Sequence, residues 1–284
     1  SLCAGGGSRV KLSKNWVSNM KAMTWNIRRA KESSEAWKIL LKISPDVATL
    51  QEVGGIPEEV TAQYQVYSKT PRKQDGGSQQ FTTIVLTKGD LNSSVQLRAD
   101  TDWINNEASF YEGNIVYCTT TTNQNKVLNL VSVYSPAWHI PDDRLTGIDI
   151  SSIRLDNNPK LYLTEILWAV LKNATISETS KWIVSGDLNS SVTFDSWGKN
   201  PRGNQEIIDR MNALGLVDCL SYFAHELVPT FRNPSRGNKF IHQLDYMYVN
   251  RPLLSNMVSS KVLDGHGIFE NNLSDHLPIV TEFR

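Results

Sequence analysis

The chain has 284 residues with 40% hydrophobic and 20% charged positions, eight Trp among them, and its 29 basic and 29 acidic side chains cancel. That composition belongs to a globular chain able to cover a sizeable core, and one domain with insertions is the economical reading at this length. The zero net charge excludes a whole-molecule field toward nucleic acid or lipid, no run of about 18 apolar residues offers a membrane span, and Cys3, Cys118 and Cys219 are too scattered for a disulfide framework or zinc knuckle, which fits a reducing, cytoplasmic compartment.

Residues 1–19 open without Met and without the apolar stretch of a signal peptide, so they are read as a tail or expression remnant ahead of one domain at 20–284. Runs rich in β-branched and aromatic residues then predict strands at Lys21–Ile27, Asp46–Val53, Phe81–Thr87, Ile115–Thr121, Val127–Tyr134, Trp182–Gly186, Leu244–Val249 and Leu277–Phe283. Between the first two, Trp37, Leu40 and Leu41 recur at helical spacing within Glu35–Ile43. Pro159–Ala174 repeats that pattern behind Asn158, an N-cap with Pro at the first helical position. Asn204–Leu214 is a third helix, closed by Gly215 in the left-handed conformation. Asn123-Gln124-Asn125 separates two strands as a hairpin turn, while Lys69–Gln80 and Ile140–Leu155 read as long surface loops. Hairpins mixed with helices predict an α/β sandwich: two packed mixed β-sheets flanked by helices.

Several of these strands finish on an acid or amide: Trp25-Asn26, Gln51-Glu52, Gly186-Asp187-Leu188-Asn189 and Leu244-Asp245-Tyr246, with Ser274-Asp275-His276 leading into the last strand. A buried strand has little reason to end on a carboxylate unless that group meets water, a cation or a partner. Asp187 and Asn189, two apart after an apolar strand, address one substrate from the same side.

The segments Thr24-Trp25-Asn26-Ile27, Leu50-Gln51-Glu52-Val53, Val133-Tyr134-Ser135-Pro136, Ser185-Gly186-Asp187-Leu188-Asn189, Leu244-Asp245-Tyr246 and Ser274-Asp275-His276-Leu277-Pro278 resemble, in order, the signatures of the endonuclease/exonuclease/phosphatase superfamily. The resemblance implies a deoxyribonuclease-I-like fold and in-line hydrolysis at phosphorus with Mg²⁺, or Mn²⁺ in its place. It implies Glu52 as the metal carboxylate, with Asn26 and Asp275 near the metal shell, since Mg²⁺ takes oxygen ligands and keeps several waters. It implies Asp187 as the group that orients and deprotonates the attacking water, Asn189 as a donor to phosphate, and His276 as a stabiliser of phosphate charge with Asp275 accepting its other ring N–H. Tyr134 would add its hydroxyl. Asp245, His139 and His242 are additional candidates, His242 lying in a stretch where related nucleases carry Arg.

Tyr at position 134, in Tyr134-Ser135-Pro136, resembles the abasic-site and retrotransposon endonuclease branch, so DNA or RNA is the expected substrate. Arg28, Trp138, Trp197 and Arg232 lie in loops near the motifs and are expected to touch phosphates or bases. The alternative is a phosphatase or phosphodiesterase acting on a phospholipid, inositol phosphate or small nucleotide, which the neutral charge also suits. A monomer with no obligate protein partner is expected.

Overall fold

The structure is a computed structural model that describes residues 19–123, 125–174, 176, 179–196 and 202–284. In chain order the strands are β1 (Met20–Ala30), β2 (Val47–Val53), β3 (Gln65–Lys69), β4 (Thr82–Thr87), β5 (Asp90–Asn92), β6 (Ile115–Thr121), β7 (Val127–Tyr134), β8 (Trp182–Asp187), β9 (Leu216–Asp218), β10 (Phe231–Asn233), β11 (Lys239–His242), β12 (Asp245–Asn250), β13 (Met257–Val262) and β14 (Ile279–Phe283). The helices are α1 (Glu35–Ile43), α2 (Glu58–Thr61), α3 (Asp102–Phe110), α4 (Leu163–Asn173), α5 (Asn204–Ala213), α6 (Cys219–Ala224) and α7 (Arg251–Leu254). None of them is long and apolar enough to cross a membrane.

Two six-stranded mixed sheets face each other, ordered β13-β14-β1-β2-β4-β3 and β9-β12-β8-β7-β6-β5. Written that way the two orders correspond strand for strand: each sheet has one parallel pair, β1 with β2 and β7 with β8, and antiparallel neighbours on both sides of it. Successive residues of the inner strands are buried in different clusters because both faces of each sheet are covered. One cluster, including Ala22, Val85, Leu130, Ile183, Met247 and Ile279, fills the space between the sheets. A second packs α1 on the outer face of one sheet through Trp37 and Leu40, and a third packs α4 on the other through Ile166, Leu167 and Val170. The sandwich expected from the sequence is therefore present as four layers, helix, sheet, sheet, helix.

The helix α1 has its expected bounds, with Ser34 accepting from the Ala36 N–H as N-cap. Gly215 takes φ +78° past α5, as its place required. The Ile115–Thr121 and Val127–Tyr134 strands form the expected hairpin, closed between Thr122 and Lys126, although Gln124 in its turn lies outside the described residues.

One of these expectations needs correction. The helix expected behind Asn158 starts at Leu163, where Glu165 reaches back to the Tyr162 N–H; Asn158 instead accepts from Lys160 N and gives its amide to the Arg202 carbonyl, an Asx turn that ends before the helix begins. The stretch 140–155 is a surface loop, as expected, with one 3-10 turn at Asp142–Leu145, but it is anchored at several points. Ile140, Ile153 and Leu155 are buried, Arg144 forms a two-pronged pair with Glu107 of α3, and Arg210 of α5 donates to the carbonyls of Ile153 and Arg154.

Candidate active site

The parallel pairs end at the same rim, so the carboxyl ends of β1, β2, β7 and β8 bring Asn26, Glu52, Tyr134 and Asp187 together there, the kind of place where α/β sheets bind ligands. Local backbone distortions aim them. Pairing of β1 with β2 shifts register between Asn26 and Ala30, and Arg28, Arg29 and Glu52 all sit at positive φ (47°, 59° and 53°). Asn189 follows at φ 45°. Such conformations cost a non-glycine residue about 1–3 kcal/mol each and persist only where the surroundings enforce them, typically at functional sites. Just before Asp187, Gly186 takes φ 141°, and a Cβ there would stand 2.1 Å from the Val133 carbonyl oxygen. Glycine thus lets β8 close on β7 and puts Asp187 level with Tyr134.

Asp187 is buried at the centre. Its Oδ2 accepts from the Asn26 amide at 3.0 Å and from the Asn189 amide at 3.2 Å, and its Oδ1 accepts from the Asn189 N–H at 2.9 Å. The Asn26 amide also reaches Glu52 Oε1 at 3.3 Å, and its own oxygen accepts from Arg28 N. Asn26 is therefore a donor between two carboxylates, with its oxygen turned away from them. Asn189 is tied further to the Ser135 carbonyl at 2.8 Å.

His276 enters from the loop before β14. Its Nδ1 lies 2.8 Å from Asp245 Oδ2, and its Nε2 lies 3.9 Å from Asp187 Oδ2. The expected partner of the ring N–H, Asp275, is not the one found: that carboxylate turns outward, 3.9 Å from Arg28 Nε. The reason is register. Asp245 pairs directly across from Asp187 in the antiparallel β8/β12 ladder, which sets both carboxylates beside the imidazole, while successive residues 275 and 276 point to opposite sides. Asp245 Oδ2 also accepts from Thr230 Oγ1 at 2.7 Å, and Ser274 Oγ donates to the Asn26 carbonyl while accepting from His276 N. Thr230 was not legible as a site residue beforehand, and Ser274 stood only as the first residue of the Ser274-Asp275-His276 signature with no role of its own, because hydroxyls that work through other side chains do not announce their partners.

These neighbours set the protonation states. Burial alone would pull the His276 imidazole down, but the Asp245 and Asp187 carboxylates outweigh it and raise it to about 10. Burial pushes the Asp187 carboxyl up, against the pull of His276 and with the help of Asp245, to about 7. The Tyr134 hydroxyl is pushed up by burial and by Glu52 and Asp187, so it stays protonated.

The donor set fits a hard divalent cation at Glu52. The carboxylate is partly open to solvent, with Arg29 Nε 3.9 Å from its Oε2. Behind it, ligand atoms of the buried residues Asp187, Asp245 and His276 lie within 4.8 Å of one another, two carboxylates against one imidazolium. Asp245 Oδ1 is buried with no hydrogen-bond partner among the described residues. That excess of negative charge favours a cation with oxygen preference.

Other expected residues fall elsewhere. His242 is buried against Phe194, with Nδ1 2.7 Å from Thr193 Oγ1, and burial lowers it. His139 lies by the Ile140 carbonyl and Asp142. Trp138 is half-buried on the α4 side of the core, its ring 6.2 Å from that of Tyr111. Arg232 lies over Phe269 at 4.3 Å and donates to its carbonyl. Arg28 is exposed at the rim and donates to Asn272. Trp197 lies outside the described residues. Phe231, beside β10's pairing with residue 276, sets its ring 4.8 Å from that of His276.

A family model described as Endonuclease/Exonuclease/phosphatase family matches residues 23–276. The chain belongs to that family. Its members hydrolyse phosphoester bonds, and the match runs from the residue before Thr24-Trp25-Asn26 to His276 itself. No curated protein sequence matches. Among solved structures, an AP endonuclease from Archaeoglobus fulgidus superposes with TM-score 0.64 at 18% identity, covering 93% of this chain and 99% of that one. The endonuclease domain of TRAS1, a telomere-specific non-LTR retrotransposon, gives 0.55 at 17%, covering 94% and 99%. The 3′ phosphatase NExo from Neisseria, bound to a product DNA hairpin, gives 0.58 at 15%, covering 93% and 99%. At these identities the likeness is one of fold: the family's two-sheet sandwich.

Proposed function

We propose that this family member is a divalent-metal-dependent hydrolase of phosphodiester bonds in nucleic acid, an endonuclease in which Asp187 acts on the attacking water. The observation that carries the reading is the 3.9 Å between His276 Nε2 and Asp187 Oδ2. That distance is too long for a hydrogen bond, so a donor and an acceptor lie side by side without being bonded to each other, His276 left to address a phosphate oxygen and Asp187 a water. Asp187, poised near 7, accepts the proton of the water, and the amides of Asn26 and Asn189 fix the orientation of its carboxylate. His276 remains an imidazolium because Asp245 holds its Nδ1–H, and it presents Nε2–H to the charge that grows on phosphorus oxygens. The protonated Tyr134 hydroxyl adds a second donor. Glu52 would hold Mg²⁺, or Mn²⁺, which when bound offsets phosphate charge.

Nucleic acid is favoured by Tyr at position 134 and by the exposed guanidinium groups of Arg28 and Arg29 at the rim. The solved proteins of like fold include an AP endonuclease, a retrotransposon endonuclease and a phosphatase bound to DNA. The test is incubation with labelled single-stranded DNA, duplex DNA with and without an abasic site, RNA, a 3′-phosphate end and an inositol phosphate panel, with Mg²⁺ and with EDTA. Cleavage of a nucleic acid that needs Mg²⁺ and falls at least ~10²-fold in folded Asp187→Ala and His276→Ala is expected. Turnover confined to the inositol phosphates overturns the substrate assignment, and near-wild-type rates in both variants overturn the mechanism.

A further inference from the structure

Arg202 is a half-buried arginine, its Nε covered, with no part in the steps above. It precedes α5 by two residues, and its side chain points back across α4 to the site. One terminal nitrogen donates to the Asn189 carbonyl at 3.2 Å and the other to Thr164 Oγ1 at 2.7 Å, while the group lies 3.8 Å from the centre of the Tyr162 ring. Glu165, which is buried, supplies the compensating charge. Covering a charge is unfavourable unless it is well paired, so an apolar residue would serve a plain packing role better.

What Arg202 touches matters because Asn189 holds a left-handed backbone, φ 45°, and that turn is what returns the Asn189 amide to Asp187 Oδ2 and its N–H to Asp187 Oδ1. The Asn189 side chain and N–H are fixed by Asp187 and Ser135. Its carbonyl is fixed by Arg202. We infer that Arg202 is a positioning residue for the candidate reaction: by clamping the Asn189 peptide it sets the aim of the Asn189 amide, and through it the orientation of the Asp187 carboxylate. The inference rests on the roles proposed above for Asp187 and Asn189.

Arg210 supplies the comparison. It too is largely covered, lies 4.7 Å over Trp168, and donates to the carbonyls of Ile153 and Arg154, but it bonds nothing in the site. Three variants of the full chain therefore separate clamp from buttress: Arg202→Met, Arg202→Lys and Arg210→Met, compared by kcat and KM on a cleaved oligonucleotide and by crystal structure. Misplacement of a catalytic group by about 1 Å costs up to ~10²-fold. Arg202→Met is expected to lower kcat by about 10- to 100-fold with KM within about threefold, Arg202→Lys to recover part of that loss, and Arg210→Met to lower Tm while leaving kcat within about twofold. In the Arg202→Met structure the Asn189 amide leaves Asp187. Should Arg202→Met fail to fold, Arg202→Lys carries the same readouts, with a smaller loss of kcat and a shifted Asn189 peptide expected.

The inference is overturned if folded Arg202 variants keep wild-type kcat, if Arg210→Met loses as much, or if Asn189 stays on Asp187. A wild-type chain that cleaves nothing defeats the functional reading instead, and the position of Asn189 in the variant structures still decides whether Arg202 holds it.

Discussion

Asp245→Asn removes a charge from the 2.8 Å contact with His276 Nδ1 while keeping the shape of the side chain. A hydrogen bond between charged partners is worth about 1.5–3 kcal/mol, and one pKa unit is about 1.4 kcal/mol, so the imidazole should fall by about one to two units. From about 10 in the wild type, it would titrate at about 8–9 in the variant. NMR of the imidazole nitrogens follows that change directly, and the alkaline limb of the pH–rate profile should descend with it, lowering the rate at pH 9 by about two- to tenfold. The linkage sign agrees. The folded imidazole lies above its unfolded value of about 6.5, so its contribution to stability is complete below about 6.5 and is lost as pH rises through about 10. Removing the Asp245 charge trims the upper part of that window, and Tm should decline less steeply between about pH 8 and 10. An imidazole still titrating near 10 in the folded variant, with an unmoved alkaline limb, refutes the assignment of Asp245 as the group that holds the His276 charge.

Asp187 must be ionised to act, so the wild-type rate should climb through about pH 7; a flat acid limb between pH 5.5 and 8 contradicts that role. Because its folded value lies above the unfolded one, Asp187 favours the folded state at low pH and loses that contribution as pH rises from about 4 to 7, so Asp187→Asn should raise Tm at pH 8 while abolishing turnover. Glu52→Gln keeps an acceptor for the Asn26 amide but loses the charge, and calorimetric titration with Mg²⁺ or Mn²⁺ should show affinity down at least about tenfold; unchanged affinity rules out Glu52 as the metal carboxylate. Gly186→Ala forces a Cβ to within 2.1 Å of the Val133 oxygen. A loss of at least about 2 kcal/mol is expected, seen as a Tm lower by at least about 4 °C, and a change under 1 °C would show that β8 and β7 have room to part.

The inner strands of both sheets were legible in the sequence because apolar and β-branched residues dominate them, as in Ile183-Val184 and Val131, and because several carry an acid or amide near one end. The edge strands β3, β5, β9 and β13 and the short ribbon β10–β11 were not. Most of their positions are half-buried or exposed, Lys239, Phe240 and Ile241 being exposed in succession, and β5, β9 and β10 have three residues each, too few to show a pattern. Helix α3 was missed for a related reason: it buries Ile104 and Glu107, and a buried acid reads as a solvated one until Arg144 is seen beside it. The members of the candidate site could be picked out by type and order. Their pairing could not, since whether Asp245 or Asp275 meets His276 depends on a cross-strand register that no local segment encodes.

The two sheets that supply the site are joined behind it by hydroxyl and amide contacts as well as by apolar packing. Thr49 meets Ser185 at 2.8 Å and Gln51 meets Ser132 at 3.2 Å, all four buried and each one to three residues upstream of a rim residue. An oily interface resists separation but offers little resistance to sliding, since apolar contacts carry no direction. These directed bonds act as dowels against shear between the sheets. Asn26 and Asp187 belong to opposite sheets, and the 3.0 Å between them survives thermal motion only to the extent that the sheets cannot slip.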